Sequence, residues 1–161
     1  MRTINFARNE ATFEELKAAG ADIVLPDRPE SVAIAKELIG DAPVRLGVDG
    51  VGGAATLNLA SLLTENSALV AYSAVSGDPM HVPYFILTSK RATVHGFFAG
   101  ARDYVTETAP AIREAGALIA SGDLVVPVAG VYTLDKIQDA LDHLFRGGKI
   151  LLDLRASTAG N

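Results

Sequence analysis

The chain has 161 residues, a formal net charge of −5 and a pI near 5.1, with 49% hydrophobic and 20% charged residues. This is enough for one domain with a sizeable core, and the acidic balance, with no basic stripe, argues against a nucleic-acid surface. With no cysteine, disulfides, thiolate chemistry and cysteine-ligated metals are excluded; no apolar run is long enough to span a bilayer and the N-terminus has no signal-like core, so no membrane association and a cytoplasmic location are expected.

In chain order, residues 3–7 form a short apolar-leaning strand ending at Arg8 and Asn9. Residues 11–19 carry helix formers and stop at Gly20, as a C-cap would. A four-residue strand, 22–25, is closed by Pro26. Residues 29–39 read as a helix with Pro29 in its first turn, Val32, Ala35 and Ile39 on one stripe, and Gly40 as its stop. Residues 44–48 are a buried strand that breaks into Gly50-Val51-Gly52-Gly53-Ala54-Ala55 just where a helix, 54–63, begins with Leu57, Ala60 and Leu63 on its apolar face. That turn matches the loose G-x-G-x-x-G/A pattern in which small residues let backbone N–H groups approach a pyrophosphate.

The continuous apolar run 68–75 reads as a parallel strand covered on both faces. After the turn Ser76-Gly77-Asp78-Pro79 come a helix at 82–90 and a strand at 93–98. Residues 102–121 form the longest helical pattern, with Pro110 predicting a kink or two helices. A strand at 124–128, a helix at 133–145 capped by Thr133, and a last strand at 149–154 follow, before a small polar tail. In the 133–145 helix the apolar face is built by Leu134, Ile137, Leu141 and Leu144. Strands alternating with helices imply an α/β fold with a mostly parallel, Rossmann-like sheet.

The histidines are scattered: His81 and His95 lack a carboxylate at ligand spacing, and His143 suits the C-terminus of its helix as a cation. His95, in mid-strand, is expected to be packed. Ser73 and Ser76 stand outside any nucleophile motif, and the pairs Glu14/Glu15 and Asp139/Asp142 have the spacing of solvated helix faces. No metal site and no catalytic residue is assigned. What survives is the set of strand C-terminal ends, where open parallel sheets bind ligands. Arg8 there is either a surface cation or the selector of a 2'-phosphorylated adenosine.

The runs Asp49-Gly50-Val51-Gly52-Gly53, Leu69-Val70-Ala71-Tyr72-Ser73-Ala74, Val94-His95-Gly96-Phe97-Phe98 and Gly148-Lys149-Ile150-Leu151-Leu152-Asp153-Leu154 resemble, in order, the C-terminal half of zinc-independent medium-chain dehydrogenases/reductases, notably trans-2-enoyl thioester reductases and quinone oxidoreductases. The resemblance implies an NADPH-linked oxidoreductase that delivers a hydride, without metal, to an enoyl thioester or a quinone. It places Arg8 at the NADPH 2'-phosphate and moves Gly50, Val51 and Gly52 from the pyrophosphate cradle to a neighbouring wall of the cleft. Tyr72, Ser73 and Ala74, with Gly96, Phe97 and Phe98, fall at the nicotinamide end, and Lys149 near the cofactor phosphates.

By the same resemblance the first strand-turn-helix of the cofactor domain, and most of the catalytic domain with its proton-donor tyrosine, lie outside this sequence. The implied organisation is an incomplete NADP-binding domain at 1–122, a return towards the catalytic domain at 123–155 and a tail at 156–161. The gap left in the sheet is expected to be closed by direct pairing of the flanking strands, by another chain, or by the rest of a longer enzyme. A homodimer through the edge strand at 93–98 is also implied. The alternative is a non-catalytic binding or dimerisation module that keeps the fold.

Overall fold

The computed structural model describes residues 1–155. The chain divides into two compact units, one of Met1–Asp103 and one beginning at Tyr104, and each is α/β.

In the first unit, β1 (Ile4–Ala7) pairs in parallel with β2 (Ile23–Pro26), and β3 (Leu46–Asp49), β4 (Ala68–Ala71) and β5 (Thr93–Gly96) form a three-stranded parallel sheet in that order. The helices between them are α1 (Phe13–Ala18), α2 (Glu30–Ile39), α3 (Gly53–Leu62) and α4 (Tyr84–Thr88). A 3-10 turn, Glu10–Thr12, leads into α1 and is capped by the Asn9 side chain, which accepts the Ala11 N–H. Glycines end the first two helices: Gly20 at φ +99° and Gly40 at φ +57° take backbone conformations closed to most side chains.

Pro26 lies inside β2 and not after it. The amides of Ile23 and Asp27 donate to Thr3 and Ala7, so alternation turns the Pro26 nitrogen to the outer edge, where no ladder bond is lost. β4 stops at Ala71, well short of residue 75, because the chain leaves the ladder to fold back on the glycine turn. The core of this unit lies between the β3-β4-β5 sheet and its helices, around Ala35, Ala60, Leu62, Leu63, Leu69 and Ile86. The buried residues of α3 include Thr56 and Ala60, whereas Leu57, expected in the apolar stripe, is exposed.

The expected direct pairing of the strands flanking the gap does not occur: among the described residues β1 bonds only to β2, and β3 only to β4. The two sheets are separate ladders.

In the second unit a π-helical turn, Tyr104–Thr108, runs into α5 (Ala109–Ser121), with Pro110 in the first turn of the α-helix, where its missing N–H costs nothing. The strand expected at 124–128 does not form. Pro127 cannot donate to a ladder, and the Leu124 amide instead closes back on Leu118. The strand forms later, as β6 (Gly130–Thr133), parallel to β7 (Ile150–Asp153), with α6 (Ile137–Arg146) between them. Thr133 precedes a short 3-10 turn, Leu134–Lys136, and its side chain makes no cap to the backbone; its hydroxyl instead helps hold the Asp135 carboxyl below its ordinary range. The apolar residues of α6 are largely exposed, and Ala140 is its buried residue. The tail expectation falls outside the described residues from 156 on. Among the described residues no helix is long and apolar enough to cross a membrane.

Candidate functional site

β3 ends on Asp49, whose side chain is buried and organises the turn that follows. Its Oδ1 accepts the Val51 N–H at 2.8 Å and the Gly52 N–H at 3.1 Å, and its Oδ2 accepts the Thr56 hydroxyl at 2.5 Å. The carboxylate thus takes up donors that a turn into a helix leaves unpaired. Gly52 at φ +83° and Gly53 at φ +57° give the backbone its reversal. The loop after β4 is bonded to the same turn: the Tyr72 amide donates to Asp49, Val75 to Gly50 and Ser76 to Val51. Gly50 lies against the outer end of the Tyr72 ring, and a Cβ there would stand 2.5 Å from the Tyr72 hydroxyl.

Beside this turn, at the C-terminal ends of β1 and β3, lies a cavity of about 330 Å³, at the lower end of the size range of small-molecule sites. Arg8, Asp27, Gly50, Val51, Tyr72 and Val75 are among the residues that line it. Asn58 of α3 donates to Asp27 Oδ1 at 2.8 Å, leaving its other oxygen to accept from a ligand hydroxyl. Arg28 is occupied by Glu10 at 2.7 Å, whereas Arg8 has no carboxylate partner among the described residues. An exposed cation at the mouth of a cavity that already holds two carboxylates fits a ligand carrying both hydroxyls and phosphate.

The structure therefore brings Arg8, Gly50, Val51 and Tyr72 to one cavity, with Gly52 in the adjoining turn. Ser73 and Ala74 are exposed on the loop that follows β4. Gly96 is in register with Ala71, and the Phe97 amide donates to the Ala71 carbonyl at 2.8 Å; the Arg102 guanidinium stands 5.2 Å over the Phe97 ring. Phe98 is exposed. Lys149 belongs to the second unit.

Asp27 and Asn58 escaped the sequence reading because their contact joins residues 31 apart in the chain, and Thr56, seven residues after Asp49, because the turn reads first through its glycines. The one available signal was the position of Asp27 directly after a strand. His95 is exposed, not packed, and lies 2.9 Å from the Thr93 hydroxyl. His143 is half-buried, its Nδ1 2.7 Å from the Tyr132 hydroxyl.

The chain is 31% identical over 103 residues to a mitochondrial enoyl-[acyl-carrier-protein] reductase of Dictyostelium discoideum, a match covering 61% of this chain and 29% of that protein. It is 34% identical over 101 residues to the Arabidopsis thaliana protein of the same name, covering 60% and 27%. The chain thus spans less than a third of the length of these relatives. Among solved structures, AibC superposes with a TM-score of 0.79 at 22% identity, over 94% of this chain and 41% of that one. A mycobacterial quinone oxidoreductase gives 0.77 at 23%, over 94% and 49%; at these identities the likeness is one of fold, and it is Rossmann-like.

The sequence signature described as zinc-binding dehydrogenase matches residues 1–115. Among the described residues no three His, Cys, Asp or Glu side chains are grouped to hold a metal ion, so no ligand set is assigned. On the match over most of its length, the chain belongs to the zinc-binding dehydrogenase family.

Proposed function

We propose that this chain is the cofactor-facing portion of an NADPH-dependent oxidoreductase acting on an enoyl thioester or a quinone. The observation that carries the reading is the convergence of Arg8 with Gly50, Val51 and Tyr72 on one cavity at the strand C-terminal ends. When bound, NADPH supplies a hydride. The part of this chain is to hold and orient the cofactor. Arg8 pairs with the 2'-phosphate, Asp27 accepts from a ribose hydroxyl, and the turn held by Asp49 forms a wall of the cleft. Ser73 and Ala74, with Gly96 to Phe98, extend the contact towards the nicotinamide. The exposed edge strand β5 suits a two-fold contact with a second copy.

Titration of NADPH and NADH against the chain, followed by nicotinamide fluorescence, tests this. NADPH is expected to bind preferentially, and Arg8→Ala is expected to weaken NADPH about tenfold while leaving NADH unchanged, the loss typical of one charged hydrogen-bonded partner. Binding of neither cofactor would overturn the reading in favour of a non-catalytic module.

A further inference from the structure

At the cavity beside the glycine turn, β1 and β2 leave their ladder side by side. Ala7 is in register with Pro26, and the Asp27 amide donates to the Ala7 carbonyl at 3.0 Å. Arg8 and Asp27, the next residues of the two strands, both line the cavity. Glu10 follows two residues after Arg8, and Arg28 one residue after Asp27. The Arg28 guanidinium meets Glu10 Oε1 at 2.7 Å, with both side chains more than half exposed, so the pair ties the segment after β1 to the segment after β2.

Both residues are anchored by their backbones. Glu10 opens the 3-10 turn, which is held by the Asn9 side chain accepting the Ala11 N–H at 3.1 Å and by the Asn9 carbonyl accepting the Thr12 amide at 3.1 Å. The Arg28 amide donates to Pro26 at 2.9 Å, and its carbonyl accepts the Ser31 amide at 3.1 Å. Two residues of chain span at most about 7 Å, so Glu10 is tethered within reach of Arg8. Arg8 nevertheless has no carboxylate partner among the described residues, because the Glu10 carboxylate is taken by Arg28. The cavity is also lined by Asp27 and Asp49, so an unpaired Glu10 would add a further negative charge where a phosphate has to enter.

We propose that Arg28 is a specificity-determining residue acting through Glu10: by holding the Glu10 carboxylate it keeps Arg8 open to a 2'-phosphate. This rests on the reading of Arg8 as the partner of that phosphate. Arg28 itself does not touch the ligand. As an exposed ion pair, Glu10–Arg28 contributes little to stability; its effect lies in where the charge of Glu10 is kept. Without Arg28, Glu10 turns to Arg8, and a phosphate must displace it, which lowers affinity about threefold for a pair of this exposure. A nucleotide without the 2'-phosphate makes no use of Arg8 and is unaffected.

The test is titration of NADPH and NADH, followed by nicotinamide fluorescence at low ionic strength, against the full chain and its Arg28→Ala, Glu10→Gln and doubly substituted forms. Arg28→Ala is expected to weaken NADPH about threefold and leave NADH unchanged, while the double form binds NADPH as Glu10→Gln alone does. The difference should close at high salt, which screens an exposed pair. The Arg8 Nε–H resonance gives a readout without nucleotide: it should move in Arg28→Ala and, in the double form, return to its position in Glu10→Gln. A loss of NADPH affinity that survives Glu10→Gln would make Arg28 a direct phosphate contact and overturn the proposal, as would an equal loss for NADH or an Arg8 resonance that stays in place. Preferential NADPH binding that Arg8→Ala weakens and Arg28→Ala does not would overturn this proposal alone. Binding of neither nucleotide would overturn the reading of Arg8 together with it.

Discussion

The carboxylate of Asp49 and the hydroxyl of Thr56 meet at 2.5 Å, both residues almost wholly removed from solvent. This joins the end of β3 to the second turn of α3, and with the Val51 and Gly52 amides it fixes the turn that walls the cavity. Asp49→Ala is expected to cost roughly 3 kcal/mol, since it strands buried donors that had a charged acceptor. Asp49→Asn keeps one carbonyl oxygen for the two amides and can donate to Thr56, so its loss is expected to be smaller. Urea unfolding midpoints at unchanged slope read both; equal losses for Ala and Asn would contradict this account.

Gly50 and Gly52 are glycines for different reasons, and their alanine variants separate them. At Gly50 the obstacle is the outer end of the Tyr72 ring, 2.5 Å from an added Cβ. Tyr72 is itself exposed and can swing away. Gly50→Ala should therefore cost under about 1 kcal/mol while displacing the Tyr72 ring from the cavity, visible as shifted ring resonances. At Gly52 the obstacle is the backbone itself, at φ +83° with the Asp78 carbonyl 3.2 Å from an added Cβ. Gly52→Ala should cost about 1–2 kcal/mol. A reversed order of the two costs would show that the turn is not held as described.

Much of the first unit was legible because punctuation and composition agreed. Gly20, Gly40 and the run from Gly50 to Gly53 mark real changes of backbone direction, and the strands between them are short, apolar and parallel. The register of the gap was not legible. Nothing in residues 3–7 or 44–48 says whether the two strands touch, because pairing is set by what else competes for the edge. In the second unit the apolar run from Leu124 misled, since its composition suits a strand but Pro127 denies it a ladder bond. The cavity's Arg8, Gly50 and Val51 could be named from strand ends alone, and Tyr72 from the family resemblance. Asp27 with Asn58, 31 residues apart, could not, since a contact between distant residues leaves no spacing in the chain.

Asp22 fastens the start of β2 to that of β1. Its carboxylate accepts the Thr3 N–H at 2.7 Å and the Thr3 hydroxyl at 3.2 Å, while the Thr3 hydroxyl oxygen accepts the Asp22 amide at 3.1 Å. The Thr3 N–H is the chief cause of a carboxyl held below its ordinary range; desolvation opposes it, and the Thr3 hydroxyl and the Arg2 charge add to the lowering. A carboxyl lowered in the folded state stabilises the fold above its unfolded value, and that contribution is lost as the pH falls through the unfolded value towards the folded one. Asp22→Asn should accordingly be less stable than the parent at neutral pH and converge with it in acid. Parallel stability curves over that range would remove Asp22 from the acid response.

In the second unit, Gly130, Tyr132 and His143 form one contact. The Tyr132 hydroxyl lies 2.7 Å from His143 Nδ1, with the rings edge to face at 5.9 Å, and both close over Gly130. A Cβ at Gly130 would stand 2.9 Å from the Tyr132 ring and 3.2 Å from His143 Nδ1. Gly130→Ala must part the two rings and break their hydrogen bond, and Tyr132→Phe removes that bond directly at about 1 kcal/mol. Because both variants lose the same bond, the double variant should cost less than the sum of the singles, with a coupling of about 0.5 kcal/mol or more. Thermal unfolding of the four proteins measures it, and strict additivity would mean that the glycine and the ring pair act separately.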